Sequence, residues 1–140
     1  MNQKPEAKRA VFKEVNPVLP CADMARDVAF YQKKLGFKKV FDSTDYEEGP
    51  LTYAVLCRDD LCLHLQCQGP EDMTQTQMPH LRFVIKNLAV LFEEYKRQGL
   101  TNDLRQNTPW GTNEFAFYDL NGNGLTFYED VSNGLAFAKS

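Results

Sequence analysis

The sequence predicts an α+β fold built from two βαβββ modules. Three observations predict it. The same order of extended and helical patterns runs twice along the chain, each helical stretch stops at a glycine, and the extended segments alternate apolar with polar residues. In the first module, Val15-Asn16-Pro17-Val18-Leu19-Pro20 is extended, because prolines at alternate positions suit an edge strand and oppose a helix. Asp23 then offers an N-cap, and Met24, Val28, Tyr31 and Leu35 lie at helical spacing up to the stop at Gly36. Residues 37–41, 51–58 and 61–67 follow as three strands, with Arg58-Asp59-Asp60 as the turn between the last two.

The second module repeats this order. Residues 80–85 form a strand, Asn87 is the candidate cap, and Leu88, Leu91, Phe92 and Tyr95 make an apolar helical stripe that ends at Gly99. Strands are expected at 103–106 (the weakest pattern), 113–118 and 124–129, with Asn121-Gly122-Asn123-Gly124 as a hairpin signal. The modules cover about residues 13–67 and 79–130, and the Gln-, Thr- and Pro-containing stretch 68–78 is the linker. Residues 1–140 are read as one domain carrying a structural repeat.

Alternation separates the residues that pack from those that can do chemistry. Leu61, Leu63 and Leu65 share one strand face, and Cys62, His64 and Gln66 share the other. Leu81, Phe83 and Ile85 oppose His80 and Arg82, just as Leu125 and Phe127 oppose Thr126 and Tyr128. Each sheet therefore has a greasy face and a mixed polar one, suited to enclosing a groove.

Composition narrows the function classes. The 140 residues are 43% hydrophobic and 25% charged, which suits a globular domain and not a disordered or collagen-like chain. Sixteen basic against nineteen acidic residues give a net charge of −3, which disfavours nucleic acid as a partner. No apolar run reaches the ~20 residues of a membrane span, and Met1-Asn2-Gln3-Lys4-Pro5-Glu6 holds no apolar leader stretch, so a cytoplasmic protein is expected. Cys21, Cys57, Cys62 and Cys67 are then expected as reduced, buried thiols, and the absence of a Cys-x-x-Cys pair argues against structural zinc.

Several short motifs carry a family resemblance. Pro17-Val18-Leu19-Pro20, Asp23, Phe30-Tyr31 and Leu35-Gly36-Phe37 resemble the opening of the vicinal oxygen chelate superfamily, which includes glyoxalase I, extradiol dioxygenases, and fosfomycin and bleomycin resistance proteins. Arg58-Asp59-Asp60-Leu61, Pro109-Trp110-Gly111 with Glu114-Phe115-Ala116, and Asp119-x-x-Gly122-Asn123 are similar to segments of the bleomycin resistance proteins. The resemblance runs from about Val15 to Glu129. It implies the glyoxalase-like fold, with paired modules curved around a groove.

In the superfamily's enzymes, four strand positions supply His, Glu or Gln to a divalent metal. The matching positions here are Asn16, Cys62, His80 and Thr126; only His80 keeps the pattern, and one His with a Thr falls short of the roughly three or four good N or O ligands such an ion needs. Zinc held by Cys62, His64 and His80 is the weighed alternative; the expectation is no metal, no cofactor and no catalytic residue. The resemblance implies instead a homodimer, often with a swapped N-terminal strand, that sequesters a flat cationic drug between aromatic walls. Trp110 and Gly111 fall at the matching Pro-Trp-Gly motif, and Phe41 with Tyr46 or Tyr53 falls at the opposite wall. Glu114, His64, His80 and Arg82 complete the expected lining, and Asp42, Asp45, Glu47 and Glu48 form an acidic run able to attract a cationic tail.

The expected ligand is a planar small molecule, in the limit a bleomycin-type glycopeptide. Three departures from the drug-binding pattern blur its identity. The 41–58 segment is longer, Leu120 replaces a proline, and one extra residue separates Gly111 from Glu114. The alternatives are a metal-dependent lyase, dioxygenase or thiol transferase of the same superfamily, and an accessory domain that binds another protein.

Overall fold

The computed structural model describes residues 8–131, so the leader-free start expected at residues 1–6 lies outside the described residues. The first module runs β1 (Val18–Cys21), α1 (Met24–Lys33), β2 (Lys38–Asp42), β3 (Tyr53–Arg58) and β4 (Leu61–Cys67). Its four strands lie in the order β1-β4-β3-β2, with β1 parallel to β4 and the rest antiparallel. Helix α1 starts where Asp23 accepts a hydrogen bond from the Arg26 amide at 3.1 Å. It ends at Lys33, short of the expected Leu35, because Gly36 takes a φ of +79° and turns Phe37 back so that its amide meets the Tyr31 carbonyl. Leu35 is thereby free to sink fully into the core.

The second module departs from the expected repeat. After α2 (Pro70–Gln75), a short helix inside the stretch read as plain linker, come β5 (His80–Val84), α3 (Leu88–Arg97), β6 (Thr112–Tyr118) and β7 (Gly124–Asp130). The sheet has three strands in the order β5-β7-β6. The strand expected at 103–106 reduces to one bridge, Arg105 to Glu114. Its polar sequence offers no alternating apolar face to bury, and Asn107, at a φ of +54°, breaks the extended run. The cap of α3 also differs from expectation. Asn87 is left-handed, with a φ of +64°, and its side chain caps nothing. The Glu129 carboxylate on β7 accepts instead from the Asn87 and Leu88 amides at 3.0 and 3.1 Å.

The greasy faces and helices α1 and α3 meet in one core. Leu19, Tyr31, Leu56 and Leu65 of the first module join Leu88, Tyr95, Phe115 and Phe127 of the second, all nearly solvent-free. Polar clamps cross the seam. The Arg58 guanidinium donates to both Glu94 oxygens, at 2.7 and 2.9 Å, and to the Leu35 carbonyl, which also accepts from the Tyr95 hydroxyl at 2.8 Å. The buried Tyr31 hydroxyl donates to Asp119 at 2.7 Å. Asp119 in turn anchors the β6–β7 turn by accepting from the Asn121 and Asn123 amides. With the cores shared, the mixed polar face of each sheet is left open.

The cysteines correct an expectation. Cys57 and Cys62 stand opposite each other across the β3–β4 ladder and form a disulfide. Cys67 is an exposed thiol, and only Cys21 matches the buried, reduced reading. The pairing depends on strand register, which a spacing of five residues along the chain does not reveal.

Candidate functional site

On the first sheet, the open face gathers Phe41, Tyr53 and His64. Phe41 leaves β2 just before a 3-10 turn (Ser43–Asp45), which returns Tyr46 over it. The two rings stack 5.6 Å apart at 8°, with 39% and 61% of Phe41 and Tyr46 exposed. An exposed, parallel aromatic pair is a ready platform for a flat ligand. Tyr53 does not compete with Tyr46 for this wall. Its hydroxyl shares a 2.7 Å hydrogen bond with His64 Nδ1, and its ring meets the imidazole edge-on.

The acidic run is thinner than expected. Asp42 is buried and hydrogen-bonded to the Lys39 ammonium and to Thr44, which hold its carboxyl down at about 2. Asp45 reaches back to the Asp42 amide at 2.9 Å in a capping box. Glu47 and Glu48 remain exposed beside the platform.

On the second sheet, one carboxylate organises the face. Glu114 Oε1 accepts from Trp110 Nε1 at 2.9 Å, Thr112 Oγ1 at 2.7 Å and Arg82 Nη2 at 3.2 Å. Burial pushes its pKa upward, but these three donors outweigh burial and hold it below the ordinary carboxylate value. The loop that presents Trp110 is closed by the Gly111 amide on the Thr108 carbonyl, with Gly111 at a φ of +91°. Guanidiniums cover two of the rings: Arg105 lies 5.2 Å from the Trp110 ring centre and Arg82 lies 4.5 Å from that of Tyr128.

His80 donates to or accepts from Thr126 Oγ1 through Nε2 at 2.7 Å, and its ring lies over Gly124. A Cβ at position 124 would stand 2.6 Å from His80 Nδ1, so this glycine makes room for the imidazole. A groove of about 340 Å³ opens along the edge of β6, lined by Thr101, Asn102, Asp103, Arg105, Glu114 and Ala116 among others.

The residues read from the sequence therefore form two groups and not one. Phe41, Tyr46, Tyr53 and His64 sit on the first sheet, while Trp110, Gly111, Glu114, His80 and Arg82 sit on or beside the second. Among the described residues no hydrogen bond, ion pair or ring contact joins the two groups. Sequence reasoning missed Arg105, Thr112 and Tyr128. Tyr128 was within reach, since alternation places it on the face of Thr126. Arg105 gave no signal, because it stands in the segment whose strand pattern is weakest.

The superfamily's metal does not fit the residues present. Cys62 is spent in a disulfide, and the buried Thr126 hydroxyl is spent on His80. The zinc alternative also fails, since Cys62 is bonded and His64 and His80 lie in different sheets. Among the described residues no three His, Cys, Asp or Glu side chains gather where an ion could bind.

The fold and these faces define a class. Two mixed sheets of βαβ-type modules, with helices on the shared core side and polar faces left open, are the architecture of the glyoxalase group. Residues 14–127 match the Glyoxalase/Bleomycin resistance protein/Dioxygenase superfamily, and the chain belongs to it. No curated protein matches the sequence.

Among solved structures, the chain is similar to the bleomycin-binding protein from Streptomyces verticillus complexed with copper(II)-bleomycin. The two are 25% identical, the match covers 85% of this chain and 97% of that one, and the TM-score is 0.66. A bleomycin resistance determinant encoded on the transposon Tn5 is 22% identical over 85% of this chain and 98% of that one, with a TM-score of 0.67. A glyoxalase-related enzyme from Clostridium phytofermentans is 20% identical over 89% of this chain and 100% of that one, also with a TM-score of 0.67. The last two likenesses establish the fold alone. No helix among the described residues is long and apolar enough to cross a membrane.

Proposed function

We propose that this protein binds a planar small molecule and holds it unchanged, in the manner of a bleomycin-binding protein, and that it works as a homodimer. The observation that carries the reading is the exposed, parallel Phe41–Tyr46 pair flanked by Glu47 and Glu48. Such a platform recognises a flat ring by stacking, worth roughly 0.5–1.5 kcal/mol beyond the area covered, and acidic neighbours favour a cationic one. The donor chemistry points the same way, since three of the four residues at the superfamily's metal positions are engaged elsewhere, His80 with Thr126 and Cys62 with Cys57.

A second copy supplies what one chain lacks. The Trp110–Glu114 group and the Phe41–Tyr46 platform belong to different open faces, and a dimer that lays one face over the other makes a two-walled crevice. The arm before β1 supports this reading, because Val11, Phe12 and Val15 are 64%, 100% and 87% exposed. A cluster of apolar side chains without cover is the mark of an association surface.

The test is a titration with metal-free bleomycin and with copper(II)-bleomycin, following the fluorescence of the single tryptophan, Trp110. Saturable quenching that Phe41→Ala weakens by roughly tenfold, the worth of one stacked ring, is the expected result. Absence of quenching with both forms sinks the bleomycin-type reading.

A further inference from the structure

We infer that the ligand carries a carboxylate and that Arg105 reads it, an inference that deepens the small-molecule reading above and rests on it. Arg105 is pinned at the backbone, its amide and carbonyl each meeting Glu114 at 2.9 Å. Its side chain is exposed, lies over Trp110 and lines the 340 Å³ groove beside Asn102 and Thr101. Arg26, Arg58 and Arg82 are each paired with a carboxylate, at 2.9, 2.7 and 3.2 Å. Arg105 has no such partner among the described residues. Arg9 and Arg97 are likewise unpaired there, but of the unpaired arginines only Arg105 lies over an aromatic ring and lines this groove. Glu114, whose Oε1 takes Trp110, Thr112 and Arg82, forms its ion pair with Arg82 and none with Arg105, and Asp103 lines the same groove without forming an ion pair.

A guanidinium resting over an indole and exposed to solvent still has N–H groups free for an acceptor, and its contact with the ring limits the freedom it loses when one arrives. Those groups match the two oxygens of a carboxylate. Seated there, a planar aromatic acid places its anion on Arg105 and its ring along the Trp110 wall. Asn102 and Thr101 are at hand in the groove for its remaining polar atoms. Across the dimer crevice, the acid-flanked Phe41–Tyr46 platform takes a cationic part. The class of ligand is then an amphoteric aromatic molecule, with its negative end on the second module and its positive end on the first.

The experiment compares 2-naphthoate with 2-naphthamide, which differ in charge and hardly in shape. Binding to the full ¹⁵N-labelled chain is followed at the Arg105 Nε–H and Trp110 Nε1–H signals. Naphthoate is expected to shift both signals and to bind at least about tenfold more tightly than the amide, the scale of one charge-assisted pair. Arg105→Gln, which keeps the backbone bridge, is expected to abolish the preference, and Arg105→Lys to keep part of it. Equal affinities, a preference that survives Arg105→Gln, or no shift at Arg105 with millimolar naphthoate overturns the inference. So does loss of dimerisation in Arg105→Gln with the preference intact, which would put the partner's acidic loop on Arg105. Bleomycin binding without a carboxylate preference sinks this inference alone, whereas the preference without bleomycin binding sinks only the bleomycin-type reading.

Discussion

At the residue scale, four cysteines with the same formal chemistry have three fates. Cys57 and Cys62 are joined, Cys67 lies open to solvent, and Cys21 is buried against Met24. Burial, reinforced by the nearby Asp27 carboxylate, pushes the Cys21 thiol up to about 12, so at neutral pH it holds no useful fraction of nucleophilic thiolate. Alkylation with iodoacetamide should therefore proceed in three stages. Without reductant Cys67 alone is labelled, reduction adds Cys57 and Cys62, and Cys21 follows only in denaturant. Peptide mapping by mass spectrometry reads this directly, and labelling of Cys57 or Cys62 before reduction would contradict the disulfide.

At the element scale, the two core helices, α1 and α3, start by different means. Helix α1 uses a local cap, Asp23, of the kind a sequence displays. Helix α3 borrows its cap from Glu129, more than forty residues away in the chain. No local pattern encodes that contact, so Asn87 drew the expectation because it stood in the right place. Glu129→Ala should cost about 1 kcal/mol, the usual worth of a cap, and should speed amide exchange in the first turn of α3 before it affects β6. A change confined to β7 would show that the carboxylate does not hold the helix. The 103–106 segment fails to form a full strand for a legible reason, its polar composition, and its loss as a strand leaves the β6 edge beside the groove that Arg105 lines.

At the scale of the whole molecule, the proposed dimer would bring the two open faces and the bare arm together. Phe12, fully exposed in the isolated chain, loses that exposure only if another surface receives it. Burying an aromatic side chain of this size is worth about 1.5–3 kcal/mol, enough to move a dimerisation constant by ten- to a hundredfold. Phe12→Ser should accordingly shift the protein toward monomer at micromolar concentration in light scattering coupled to size exclusion, while its circular dichroism stays unchanged. A Phe12→Ser protein as dimeric as the parent would free the arm from this role.

The sequence by itself determined the periodic features. Alternation assigned the greasy and polar faces of β4, β5 and β7 correctly. Glycine stops and the Asp23 cap placed α1 to within two residues, and the ordered motifs identified the superfamily. These are legible because period, caps and turns act over a few residues. Tertiary structure decided everything that depends on register and on distant contacts. It joined Cys57 to Cys62, spent Asp42 on Lys39, and hung Trp110 on Glu114 under Arg105. It also set the predicted site residues on two separate faces. Each of these outcomes turns on which strand lies beside which and in what register, and that is settled only when the shared core closes around Tyr31 and Tyr95.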